Sequence, residues 1–149
     1  MFDTELEMSK KFERSLKLNF GSSYIKECQG LFGIPDFVFY SKDKKEVSII
    51  SFELKLKDWK RATKQAFRYK SFSHSTYVVL PSKSINPALN NINFFKRYNI
   101  GLAEFNINNE IHIKYKPQFD EPYSENLNKK IIDIIGSSRK KAKNIQFFI

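Results

Sequence analysis

The chain has 149 residues, 41% of them hydrophobic and 15% aromatic, which suits one domain with a packed interior. Its 26 Lys and Arg against 16 Asp and Glu leave a net charge of +10, which makes phosphate-rich partners candidates, with an A+T-rich coding bias as the compositional alternative. The lone cysteine, Cys28, excludes an internal disulfide framework and a multi-cysteine zinc site. No apolar run approaches the roughly 20 residues of a membrane span, and the N-terminus has no leader pattern, so a cytoplasmic protein with no membrane partner is expected.

In chain order, residues 4–18 predict a helix, with Met8, Phe12 and Leu16 recurring at spacing four. Gly21 ends it, and residues 23–28 suit a short strand. The turn chemistry of "GLFGIPD" leads into a strand at "DFVFY", a polar reversal at "SKDKKE", and a longer strand at "VSIISFELKL". Asp58 is placed to cap a helix over residues 59–72. A buried-type strand, "STYVVLP", follows, and then a helix over residues 85–99 with Pro87 near its first turn. "IGLAEFNI" and "EIHIKYK" predict a hairpin. Residues 124–137 predict a last helix with Leu127, Ile131 and Ile134 on one face. The expected architecture is α/β, a central mixed sheet flanked by helices, in one domain spanning residues 1–149 with a basic tail from about 137.

The charges inside the longer strand are its most informative feature. Alternation puts Ile50, Phe52, Leu54 and Leu56 on one face and Ile49, Ser51, Glu53 and Lys55 on the other. The second face begins apolar and turns charged only at its C-terminal end, which fits a site better than a solvated face. If the two strands form a hairpin around "SKDKKE", Asp36 comes to lie against Glu53 and Lys55. Two converging carboxylates repel, and a hard divalent cation such as Mg²⁺ or Mn²⁺ relieves that repulsion. A lysine beside them suits orienting a water or steadying charge on a phosphate.

Pro35-Asp36 followed by Glu53-Leu54-Lys55 resembles the PD-(D/E)xK nuclease superfamily, whose fold is restriction-endonuclease-like: an αβββαβ core, here with a C-terminal hairpin and helix added. The resemblance covers about residues 4–81. It implies that Asp36, Glu53 and the Leu54 carbonyl hold Mg²⁺ or Mn²⁺ and that Lys55 serves the attacking water. It also implies a glutamate from the first helix, for which Glu5 competes with Glu7 and Glu13, and a glutamine from the helix after the lysine strand, Gln65. The implied activity is hydrolysis of phosphodiester bonds, with DNA favoured over RNA, by a homodimer or with a partner protein. A non-catalytic binding or assembly protein that keeps the fold is the alternative.

Lys57, Arg61, Lys64 and Arg68 fall on one face of the helix leaving this site, where they are placed to grip phosphates. Arg139, Lys140 and Lys141, with Lys143, form a second basic run ahead of the apolar end "IQFFI". That run reads equally as a grip on a nucleic-acid backbone or as a helix end, and the apolar end is expected to dock on its own domain or a second copy. His74 and His112 have no acidic or cysteine neighbours at metal spacing and receive no role. No Gly-rich phosphate loop or nucleophile elbow occurs.

Overall fold

A computed structural model describes residues 2–44 and 46–149; Met1 and Lys45, the latter inside the expected reversal, lie outside the described residues. The Thr4 side chain accepts a hydrogen bond from the Glu7 N–H and starts α1 (Glu5–Phe20). Met8, Phe12 and Leu16 are fully buried on one face, as their spacing predicts. The helix runs to Phe20 and stops at Gly21.

Next come β1 (Tyr24–Lys26), β2 (Phe37–Asp43) and β3 (Glu46–Leu54), an antiparallel meander. Asp58 accepts from the Arg61 N–H and caps α2 (Trp59–Tyr69) as expected. This helix ends three residues before the predicted position. The chain turns there, which buries Phe72 beside Tyr69 and lets the Lys70 amine donate to the Tyr98 carbonyl.

After β4 (Ser75–Pro81), the helix expected over residues 85–99 is instead two short helices, α3 (Ile85–Leu89) and α4 (Ile92–Tyr98). The break falls at Asn90 and Asn91, where the Asn91 amide donates to the Pro87 carbonyl and competes with a continuous ladder. Ile85 and Ala88 of α3 and Phe95 of α4 are buried. The predicted hairpin is β5 (Gly101–Phe105) and β6 (Ile111–Tyr115), and α5 (Glu125–Ile135) follows. Its buried face is Leu127, Ile131 and Ile135, at spacing four; Ile134 is 45% exposed and does not belong to it.

Among the described residues the strands form one open mixed sheet in the order β1-β2-β3-β4-β5-β6, with β3–β4 and β4–β5 parallel. Both parallel connections advance in the same direction, and a common handedness puts their helices on the same face. There α2, α3 and α4 cover Val78, Leu80 and Leu102, while α5 and Tyr69 cover Val38, Tyr40 and Ile49. The other face, with Phe37, Phe39, Ile50, Phe52, Tyr77 and Val79, packs against α1.

The C-terminal segment completes this second layer. Lys143 N–H donates to the Phe20 carbonyl, the Asn144 amide donates to the Asn19 carbonyl, and a Cβ on Gly21 would meet the Lys141 carbonyl at 2.7 Å. Phe148 is fully buried among Phe20, Phe39, Phe52 and Tyr77, and the Tyr77 hydroxyl donates to its carbonyl at 2.6 Å. The apolar end therefore docks on its own domain. Phe148→Ala should cost about 3–5 kcal/mol of stability, the usual range for truncating a core aromatic. Urea unfolding measures this, and a loss below about 1 kcal/mol would mean that the segment contributes little.

Candidate functional site

The β2–β3 hairpin sets the site's geometry. Its ladder pairs Phe37 with Phe52, and one step further the Asp36 N–H donates to the Phe52 carbonyl at 3.1 Å. Continuing that register puts Asp36 opposite Glu53, with both side chains on the same face of the sheet. The Leu54 N–H then donates to Asp36 Oδ2 at 2.7 Å and fixes that carboxyl. Lys55 lies just past the end of β3 rather than inside it. Its N–H still donates to the Val79 carbonyl at 3.1 Å, so its backbone is anchored to β4. The Lys55 amine stands 3.8 Å from Glu53 Oε2.

Glu53 is only 4% exposed, which excludes the reading of a solvated Glu–Lys pair. Its other oxygen, Oε1, lies 2.6 Å from the Tyr69 hydroxyl, which in turn lies 3.0 Å from the Ile34 carbonyl. One hydroxyl hydrogen faces two acceptors. The arrangement is fully satisfied when a protonated Glu53 donates to the Tyr69 oxygen and Tyr69 donates to Ile34.

Gly33 makes this contact possible. Its φ is +79°, and a Cβ there would come within 2.9 Å of the Tyr69 ring.

Electrostatics agree with the proton count. Burial first, and then the negative charge of Asp36, push the Glu53 carboxyl up to about 8; Tyr69 and Lys55 only partly oppose this. Burial likewise raises Asp36 to about 6, against the pull of the Leu54 N–H and of Lys55, with Glu5 and Glu27 adding to the rise. A structural ion pair would show carboxyls held low. Here both are held high, by burial first and by the negative charge of neighbouring carboxylates.

The three competing glutamates of α1 separate cleanly. Glu7 accepts from the Asp3 N–H and pairs with Lys11 at 3.3 Å, and Glu13 accepts from the Tyr24 hydroxyl and Lys26. Glu5 is exposed, and its charge bears on both Asp36 and Glu53. Among the described residues no three His, Cys, Asp or Glu side chains converge as a metal-holding group. Two carboxylates and a carbonyl form a donor set suited to Mg²⁺ or Mn²⁺, which keep several of their waters.

Gln65 sits one helical turn before Tyr69, and its Oε1 is buried without a hydrogen-bond partner among the described residues. Two contributors were not singled out for the site from sequence: Tyr69, which looks like any apolar-face aromatic on α2, and Glu27, whose N–H donates to the Asp36 carbonyl. The one available signal for Tyr69 was its place four residues after Gln65.

The basic residues divide into two groups. Arg61, Lys64 and Arg68, joined by Lys60, line a groove of about 460 Å³ along α2 with Asp58 and Gln65. Lys57 is exposed and lines a neighbouring cleft of about 540 Å³, with Leu56, Trp59, Pro81 and Lys83. Arg139, Lys140 and Lys141 are not brought to the carboxylates. They follow Gly136 and Ser138, which bond to Lys42 and Tyr40 of β2, and they precede the contact with the last turn of α1. That places them towards the far end of the sheet from Asp36. Comparison with protein-family models, curated proteins and solved structures returns no match.

The raised carboxyls have a consequence for stability. Between the ordinary value of 4.5 and about 8, folded Glu53 keeps a proton that the unfolded chain has released, and Asp36 adds the same effect between 3.8 and about 6. In the absence of divalent metal, stability should therefore fall as pH rises through this window. Urea unfolding across it should show the decline, with a shallower slope for Glu53→Gln. A stability that stays flat or increases would contradict the arrangement.

Proposed function

We propose that this chain is a metal-dependent nuclease of the PD-(D/E)xK type, hydrolysing phosphodiester bonds, with DNA as the favoured substrate. The observation that carries the reading is half-buried Asp36 set opposite buried Glu53, with the Lys55 amine beside them. The order α1-β1-β2-β3-α2-β4, antiparallel up to β3 and parallel from β3 to β4, also suits a restriction-endonuclease-like fold.

Asp36, Glu53 and the Leu54 carbonyl are the groups that would hold Mg²⁺ or Mn²⁺, which when bound supplies a polarised water and neutralises charge on the phosphate. The Leu54 N–H holds Asp36 in place, and Tyr69 orients Glu53. Lys55, anchored through its N–H to β4, presents a flexible ammonium to a water or to a phosphate oxygen as charge builds there. The cations of α2 supply phosphate contacts that position a strand without reading its sequence. Cutting both strands of a duplex requires two such sites, which a homodimer or a partner protein would provide.

Cleavage of supercoiled, linear, single-stranded and branched DNA, with matched RNA, tests the reading. Wild type should cut with Mg²⁺ or Mn²⁺ and stop in EDTA. Asp36→Ala and Lys55→Ala should each lose about a hundredfold or more in rate. Cleavage that persists in Asp36→Ala would remove the site from the chemistry. Binding without cleavage in the wild type would make this a non-catalytic nucleic-acid-binding protein, and preference for the RNA strand would reassign the substrate.

A further inference from the structure

Beside the basic groove lies a run of exposed aromatic rings. Trp59 and Phe94 have centroids 5.6 Å apart, Phe94 and Tyr98 4.7 Å, Tyr98 and Phe67 6.2 Å, and Phe67 and Tyr123 6.0 Å. Apart from Trp59, which is half-buried, these rings are between 36% and 60% exposed. Single exposed apolar residues are ordinary on a protein surface, but a connected file of five rings is not. We propose that this file is a stacking platform for single-stranded nucleic acid, with the bases on the rings and the phosphates in the groove of α2.

Charge identifies the occupant. Lys64 lines both the groove and the hollow formed by Phe67, Phe94 and Tyr98, so rings and cations share one continuous surface. The Arg97 guanidinium lies 5.5 Å above the Tyr98 ring. Among the described residues, Lys60, Arg61, Lys64, Arg68 and Arg97 form no salt bridge with an acid. A second copy of the chain meeting this face through two-fold symmetry would set these cations against themselves. Duplex DNA keeps its bases stacked inside and would use the groove but leave the rings idle. A single strand engages both surfaces at once.

The platform is also held firmly. The buried Lys70 amine donates to the Tyr98 carbonyl at 2.8 Å and lies 5.5 Å from the centre of the Tyr123 ring, which ties α4 and the segment before α5 to the end of α2. Acidic residues stand beside both ends of the file, Asp58 next to Trp59 and Asp120 and Glu121 before Tyr123. The Trp59 end borders the cleft lined by Lys57, two residues after Lys55. Binding of a strand along the rings does not rest on the nuclease reading.

Trp59 is the single tryptophan of the chain and reports directly on stacking. Its fluorescence should be followed in EDTA, where no metal-dependent cleavage occurs, against oligothymidine and a duplex of equal length. The single strand should quench Trp59 and bind about tenfold or more tighter than the duplex. The double substitution Phe67→Ala/Phe94→Ala should lose about tenfold or more of single-strand affinity while duplex binding is unchanged. Tyr123→Ala, at the most exposed ring, should lose severalfold and serves if the double variant folds poorly. Equal affinity for the two forms, or variants that bind like wild type, would overturn the platform. So would sedimentation showing a wild-type dimer that these substitutions dissolve. Because the assay is cleavage-free, a negative result here leaves the nuclease reading standing, and a failure to cut leaves this one standing.

Discussion

Two carboxyl groups face each other across the β2–β3 ladder in a place with little access to water, and much of the surrounding structure follows from keeping them there. Asp36 is held from the backbone by Leu54, Glu53 from the opposite helix by Tyr69, and Tyr69 by the Ile34 carbonyl and the absence of a side chain at Gly33. Burial and mutual repulsion both penalise the charged forms. Sheet interiors are normally filled with apolar side chains, as Ile49, Ile50 and Phe52 of β3 are. A carboxyl kept at such a position lowers stability unless something compensates for it, and function is the usual reason that such a cost persists.

Much of this was legible in the sequence because it depends on short-range periodicity. Alternation along "VSIISFELKL" separated Phe52 and Leu54 from Ser51 and Glu53, but a reversal over all of "SKDKKE" would pair Tyr40 with Val47 and Asp36 with Ser51. Instead β2 runs to Asp43 and β3 begins at Glu46, and that longer ladder sets Asp36 opposite Glu53. The spacing of Met8, Phe12 and Leu16 placed α1 over one face. The α/β architecture followed from the order of these elements. The roles of Tyr69 and Glu27 were not legible, because both depend on which loop packs against which helix. An aromatic on the apolar face of a helix looks the same in the sequence whether it fills the core or binds a carboxylate.

The misplaced helix boundaries share a physical cause. The apolar residues of the segment 85–99 keep helical spacing, yet Asn90 and Asn91 offer the backbone local alternatives, and the Asn91 amide takes the Pro87 carbonyl where the helix breaks. Ile135 rather than Ile134 faces inward because the contact of α5 follows a strict spacing of four from Leu127 and Ile131. The two basic runs were equivalent as composition and differ entirely in position. One leaves directly from the carboxylate end of the sheet; the other is tied down beside the end of α1 by the docking of Phe148. Net charge alone could not have separated them.

The central claim is that Asp36 and Glu53 together form a site for a hard divalent cation. Thermal unfolding of wild type and Asp36→Asn, with and without Mg²⁺ or Mn²⁺ at neutral pH, addresses it most directly, because a ligand that binds only the folded state raises the midpoint. The account predicts a metal-dependent rise in the wild type that Asp36→Asn lacks. A midpoint indifferent to metal, or an equal rise in both proteins, would contradict it.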